Sequence, residues 1–166
     1  AGDLQVLVDL YGGGRFSEVL DRCVVLLGSF PGSFKLHNIC GAAHSALGDF
    51  ELAIESYRCA IEINPGYADA YNNMANIQKD QGDLEGAMVS YRKALELKPD
   101  YADAHNNLGN VLKELGDSGA AIESYRRAIK LNPGYAGAHN NIGVIQSDGE
   151  EFDDAITSFL EAIKIN

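Results

Sequence analysis

Apolar residues recur along this chain at spacings of three, four and seven, which is the periodicity of one face of an α-helix. Gly-Asp pairs at 48–49, 82–83 and 116–117 interrupt the pattern. Glycine favours the end of a helix, and aspartate caps the start of the next one. The pattern predicts an all-α fold with ten short helices, at 3–11, 15–28, 34–47, 50–63, 68–81, 84–97, 102–115, 118–131, 136–148 and 152–165.

The prolines divide these helices into pairs. Each proline lies 34 residues after the one before, at Pro31, Pro65, Pro99 and Pro133. A residue before proline avoids the helical conformation, so each proline ends the second helix of a pair. Stacked pairs bury a continuous core. We therefore predict one solenoid over 1–166, with units at about 1–31, 34–65, 68–99, 102–133 and 136–166, of which the first fits the frame poorly.

Small and large residues occupy fixed slots within the units. The first helix of a pair carries a small residue at Gly41, Ala75, Gly109 and Gly143. The second helix carries alanines at Ala53, Ala87, Ala121 and Ala155, and again at Ala60, Ala94, Ala128 and Ala162. Large rings recur at Tyr57, Tyr91, Tyr125 and Phe159. Such slots let two helices cross closely while larger groups fill the remaining space.

A 34-residue helix pair with these slots resembles the tetratricopeptide repeat, closely over 34–166. The segment DAHNNLGNVLKELG at 103–116 resembles the repeats ahead of the catalytic region of O-GlcNAc transferases. The resemblance implies a right-handed superhelical solenoid whose concave groove binds proteins or peptides. Two features depart from the family pattern. The tryptophan or tyrosine slot of the first helix holds His37, Tyr71, His105 and His139, and the turn glycine comes one residue early at 148–150, which predicts a distorted last turn.

Asparagines are the informative polar feature, because asparagine is a mediocre helix former and yet recurs on every later first helix. One slot holds Asn38, Asn72, Asn106 and Asn140, the next holds Asn73, Asn107 and Asn141, and a third holds Asn76 and Asn110. The resemblance implies that these side chains line the groove. Two interpretations stay open: the carboxamides pair with the amides of an extended peptide, or they bond neighbouring repeats together.

Charge limits the partners of this groove. Lys79 and Lys113 complete the candidate site, but Asp69 and Asp103 stand where a clamp for a terminal carboxylate would need cations. The formal net charge of -11, with scattered basic residues, argues against nucleic acid and anionic membranes. Neutral or basic protein or peptide segments are favoured.

Candidate chemistry is sparse. His37, Cys40 and His44 have the spacing of zinc ligands on one helix face, but all three occupy slots that other units use for packing. Gly12, Gly13 and Gly14 lack the Gly-Lys-Ser/Thr ending of a phosphate loop and fall at a turn. We expect no catalytic site, metal or cofactor. The three cysteines show no paired spacing, which favours reduced thiols and a cytoplasmic location.

The sequence therefore predicts a non-catalytic scaffold that binds peptides or proteins through its groove. One alternative is the substrate-selecting arm of a larger enzyme, such as a glycosyltransferase, whose catalytic domain lies outside this chain. Another is a self-associating scaffold, with a weak contact at the C-terminal end. There Phe159, Ala162 and Ile163 lie on the face that a further unit would cover.

Overall fold

The computed structural model describes residues 2–165, and all regular structure in that range is helical. Ten helices follow one another: α1 Gly2–Gly12, α2 Phe16–Ser29, α3 Phe34–Leu47, α4 Phe50–Ile63, α5 Ala68–Asp80, α6 Leu84–Leu97, α7 Ala102–Glu114, α8 Ser118–Leu131, α9 Ala136–Asp148 and α10 Phe152–Ile165. The ten predicted helices are confirmed, each boundary to within one residue. The predicted limits at Ala1 and Asn166 lie outside the described residues.

The turns inside the helix pairs follow the Gly-Asp chemistry, with one exception. Gly48, Gly82 and Gly116 adopt left-handed φ values of 84°, 81° and 83°. The carboxylates of Asp83 and Asp117 each accept a backbone N–H three residues on, at 3.0 Å. Asp49 occupies the N-cap position of α4 as expected, but its side chain makes no cap bond, and its Oδ2 lies 3.5 Å from His44 Nδ1.

The last turn places a glutamate in the left-handed region. Glu150 has a φ of 63°, whereas Gly149 before it ends α9 with a φ of -86°. Glu150 stands 34 residues after Gly116, so the turn keeps the position of its left-handed residue although the glycine has moved. The structure therefore places the predicted distortion at one backbone angle, where a side chain is disfavoured.

The chain divides within α5 into two compact units, one ending at Ile77 and the other beginning at Gln78. The predicted single solenoid stays a prediction. In the first unit, α3 and α4 form a tight hairpin in which Gly41 faces Tyr57. A Cβ atom on Gly41 would lie 2.6 Å from the Tyr57 ring. The missing Cβ therefore allows α3 and α4 to approach as closely as they do.

In the first helix pair, α1 and α2, the large residue of the crossing lies on the first helix and the small residue on the second. Leu7 occupies the small slot of α1 and Cys23 the ring slot of α2, each 34 residues before its counterpart, Gly41 or Tyr57. Leu7 is 0% and Cys23 1% exposed, and both belong to one buried cluster. A large residue on the first helix thus accompanies a small one on the second, which is why this pair departs from the sequence frame and still packs.

The second unit repeats the glycine–ring pairing twice. A Cβ on Gly109 would lie 2.6 Å from the Tyr125 ring between α7 and α8, and one on Gly143 would lie 2.7 Å from Phe159 between α9 and α10. The alanines of α8, Ala121 and Ala128, are completely buried. Because these crossings fix how each helix is rotated, they also decide which residues of α7 and α9 face away from the core.

Candidate functional site

The predicted asparagines lie on first helices, and most are half-buried. In the first unit, Asn72 is buried at 5% exposure, and Asn38, Asn73 and Asn76 are half-buried. In the second unit, Asn106, Asn107, Asn110 and Asn141 are half-buried and Asn140 is exposed. Half-buried carboxamides keep fixed orientations while part of each group stays accessible, which is the condition for presenting hydrogen bonds to a ligand.

In the first unit the asparagines form a short chain between α5 and α3. Asn72 Nδ2 donates to Asn73 Oδ1 at 3.4 Å, and Asn73 Nδ2 donates to Asn38 Oδ1 at 3.2 Å. The second bond joins helices of neighbouring repeats. Asn76 also has a partner within the chain.

In the second unit the bonds follow a different register, centred on Asn110. Its Oδ1 accepts from Tyr125 Oη at 2.8 Å and from Asn141 Nδ2 at 3.0 Å. Lys113 Nζ donates to Asn141 Oδ1 at 3.2 Å. The slot of Asn110 holds Ala42 in α3, so Asn73 has no carboxamide to reach there. One substitution between repeats therefore explains the change of register.

Two carbonyl oxygens of the set are left over. Asn106 Nδ2 donates to Asn107 Oδ1 at 3.3 Å, as Asn72 does to Asn73 in the equivalent slots. The Oδ1 atoms of Asn72 and Asn106 are buried and accept no hydrogen bond in the part of the chain that the structure describes. A buried acceptor without a donor is unfavourable, so this slot retains unused bonding capacity.

The charged residues near the asparagines are mostly held by neighbours. Lys79 Nζ lies 3.1 Å from Asp80 Oδ1. Tyr135 Oη, in the loop before α9, donates to Asp103 Oδ1 at 2.5 Å. Burial, and next the bond to Asp103, raise the pKa of Tyr135 to about 12. Asp103 thus joins α7 to the next repeat and remains an exposed carboxylate, where a clamp for a terminal carboxylate would need a cation.

The histidine slot has a structural role that the sequence analysis missed. A ring nitrogen of His37 lies 3.0 Å from the Pro31 carbonyl oxygen, and one of His105 lies 2.9 Å from that of Pro99. The recurring six-residue interval between proline and histidine is the signal that would have revealed it. Cys40 is buried in the core cluster. Within residues 2–165, no group of three histidine, cysteine or acidic side chains is placed to hold a metal ion.

Paired helices with fixed crossings and a recurring polar face define a helical-repeat scaffold. The tetratricopeptide repeat family matches at residues 41–82, 75–116, 102–135 and 136–166. The chain belongs to this family. The matches cover well over half of its length, and the predicted solenoid of antiparallel helix pairs is confirmed as its fold class.

Solved structures agree with this fold. The crystal structure of MamA is 24% identical, covers 95% of this chain and 92% of that chain, and gives a TM-score of 0.86. Pseudomonas aeruginosa pilF is 18% identical over 99% of this chain and 75% of that chain, with a TM-score of 0.93. YrrB, described as a TPR protein with an unusual peptide-binding site, is 17% identical over 99% and 84%, with a TM-score of 0.79.

At these identities the structures establish the fold alone. A comparison with curated protein sequences found no match. Among the helices of residues 2–165, none is long and apolar enough to cross a membrane.

Proposed function

We propose that this chain is a non-catalytic scaffold that binds extended protein or peptide segments along its asparagine-bearing first helices. The observation that carries the proposal is the anchoring of Asn110. Its carbonyl oxygen accepts two bonds, from Tyr125 and Asn141, which fills both of its lone pairs. The orientation of the carboxamide is therefore set, and its amide group faces away from those two partners.

The Asn110 amide nitrogen has two N–H donors, neither of which forms a hydrogen bond within the described residues. Lys113, bonded to Asn141, adds further donors on the same face of α7. A donor-rich surface suits backbone carbonyl oxygens, which every peptide presents regardless of its side chains. The exposed Asp103 carboxylate attracts basic segments and repels acidic ones, so the surface favours neutral or basic segments.

The test is capture of extended peptides by the purified chain, measured by fluorescence anisotropy. Replacing Asn73, Asn107 and Asn141 together by alanine should abolish capture and leave helicity nearly unchanged. Asn110→Asp keeps the acceptor bonds to Tyr125 and Asn141 but removes the free donors, so it should weaken binding as much as Asn110→Ala. Arg126→Gln, on the exposed surface of α8, is the control that should bind normally.

Normal affinity in the triple variant would show that the asparagines only join repeats. Equal binding by Asn110→Asp and the wild type would refute the role of the amide donors and leave the lysine as the remaining contact.

A second candidate, self-association, is favoured by α10. Leu160 is 51% exposed in the slot where α4, α6 and α8 place the arginines Arg58, Arg92 and Arg126. Ile163, one helical turn on, is 69% exposed. Leu160→Arg restores the residue used by the internal helices. Concentration-dependent sedimentation in the wild type that disappears in this variant would support self-association, and a monomer at all concentrations would refute it.

The resemblance of 103–116 to O-GlcNAc transferase repeats supports a further proposal, that the same groove selects substrates for a catalytic region elsewhere in a longer protein. On this proposal the catalytic groups belong to that other region. Peptides captured by the chain should then be substrates of that enzyme, and captured peptides that it fails to modify would argue for an adaptor.

A further inference from the structure

Besides its asparagine face, α7 lines a cleft with its opposite face. His105, Leu108 and Leu112 lie on one side of this helix and Asn106, Asn110 and Lys113 on the other, since residues three or four apart share a helix face. The cleft has a volume of about 420 Å³ and lies among α6, α7 and α8 of the second unit. It is therefore a separate surface from the proposed groove.

Two arginines line this cleft. Arg92 comes from α6 and Arg127 from α8, and both side chains are exposed. Neither forms a hydrogen bond or an ion pair with another residue between positions 2 and 165. A guanidinium presents a planar fork of donors that matches a carboxylate, and two unpaired forks in one cleft provide two such contacts.

The cleft lining contains two glutamates, and only one of them is without a lysine partner among the described residues. Glu96 is paired with Lys93: the Nζ of Lys93 lies 2.9 Å from the Oε2 of Glu96. Glu123 is the remaining carboxylate of the lining, and it opposes an anionic ligand. A neighbouring cleft of about 360 Å³ shares Arg127 and adds Lys130. The cations thus continue along α8, in a chain whose formal net charge is -11.

The cleft also offers an apolar floor. Leu108 and Leu112 are 7% and 4% exposed, and Leu95 of α6 is half-buried beside them. Arginines above apolar side chains suit a ligand that carries carboxylates next to an aliphatic group.

Repeat packing does not require a positive charge in the slot of Arg127. The slot of Arg127 holds Cys59 in α4, Lys93 in α6 and Glu161 in α10, so residues of different size and charge are compatible with the fold. The slots of Arg92 and Arg127 hold Arg58 and Lys93 one repeat earlier and Arg126 and Glu161 one repeat later, so two arginines occur together only at the junction of α6, α7 and α8.

We propose that this cleft binds an acidic peptide segment, with carboxylates on Arg92 and Arg127 and an aliphatic side chain on the leucine floor. It would give the chain a second binding surface, with a charge preference opposite to that of the groove. The inference does not depend on the asparagines, so either surface can fail its test without the other.

The probe is a fluorescein-labelled peptide with a central leucine flanked on each side by two glutamates, and its matched control has glutamine in place of glutamate. Saturable anisotropy with the glutamate peptide and much weaker binding of the glutamine peptide are expected. Arg92→Gln and Arg127→Gln should each weaken binding by about fivefold, the upper range for one exposed ion pair. Glu123→Gln should strengthen it by about threefold on the same grounds.

Arg126→Gln is the matched control, because it removes an exposed arginine adjacent to Arg127 that does not line the cleft. It should bind as the wild type does, and so should a variant with Asn110 and Asn141 replaced by alanine. The proposal is overturned if the two peptides bind equally, if no saturable binding is found, or if Arg126→Gln weakens binding as much as Arg127→Gln. Loss of binding in the asparagine variant would place the peptide in the groove and overturn it as well.

Discussion

The glycine–ring crossings make a stability prediction that the structure specifies in detail. Replacing Gly109 by alanine places a Cβ 2.6, 2.8 and 3.0 Å from three carbon atoms of the Tyr125 ring, where carbon atoms ordinarily lie about 3.5–4 Å apart. The ring is 0% exposed and cannot move into solvent. Either the helices separate or the ring leaves its preferred rotamer.

Two effects of opposite sign decide the size of the change. Overpacking a tight core costs about 1–3 kcal/mol, and three short contacts on an immobile ring place this site at the upper end. Alanine in place of glycine within a helix recovers about 1 kcal/mol. We expect Gly109→Ala to lower the free energy of unfolding by about 2 kcal/mol, which corresponds to a fall in melting temperature of roughly 4–8 °C.

The matched control is Gly137→Ala, since a Cβ there meets nothing within 4 Å. It tests the same change of residue without the clash and should be neutral or stabilising by up to about 1 kcal/mol. Urea unfolding followed by circular dichroism measures both variants. A further variant, Gly109→Ala with Tyr125→Leu, makes room for the new methyl group and should cost less than the sum of the single changes by at least about 1 kcal/mol.

The reasoning fails if Gly109→Ala is as stable as Gly137→Ala, because the clash would then be absorbed without cost. It also fails if the two changes at the crossing are additive, since residues in direct conflict must be coupled.

Two further predictions concern the last turn and the loop before α9. Glu150→Gly should stabilise the chain by about 0.5–1 kcal/mol, since a glutamate held at a φ of 63° is strained and glycine is not; lower stability in thermal unfolding would contradict this. The pKa of Tyr135, raised to about 12 mainly by burial, means that the folded state holds the phenol proton more tightly than the unfolded chain, where the pKa is about 10. This contribution is complete below pH 10 and lost as the pH rises to about 12, so Tyr135→Phe should flatten the fall in stability over that range. Tyr135→Phe should also cost about 1 kcal/mol at pH 7 through its lost bond to Asp103, and an unchanged alkaline profile would refute the assignment.

The sequence predicted the helices because the physical signals are local. Apolar spacing, glycine in left-handed turns and the conformation before proline all act within a few residues, and a fixed period repeats them. The small slots were also predictable, since Gly109 and Tyr125 recur in register with equivalent pairs. The loss of stability caused by a side chain at Gly109 was not predictable, because it depends on the distance between that side chain and the Tyr125 ring.

Features that depend on two positions at once escaped prediction. Leu7 stands in a slot that elsewhere holds a small residue, and Cys23 stands in a slot that elsewhere holds a ring. Only the two changes together keep the total side-chain volume at the helix crossing similar. The displaced glycine at 149 predicted a disturbed turn, but not that Glu150 would adopt the left-handed angle. The cleft lined by Arg92 and Arg127 was missed for the same reason, since these arginines belong to different slots of different helices.

The candidate groove shows how far a repeated residue determines a repeated function. Asn73 and Asn141 share a slot, yet one bonds Asn38 and the other bonds Asn110. The difference follows from the third slot, which holds asparagine in α5 and α7, Ala42 in α3 and Val144 in α9. A carboxamide whose carbonyl is fixed and whose donors are free therefore needs two hydrogen-bond donors for its oxygen, one from a second asparagine and one from a tyrosine. In the second unit, Asn141 and Tyr125 provide these donors to Asn110. Peptide binding should accordingly depend on this anchored position more than on the number of asparagines, because an exposed carboxamide such as Asn140 must lose side-chain freedom on binding whereas Asn110 has already lost it.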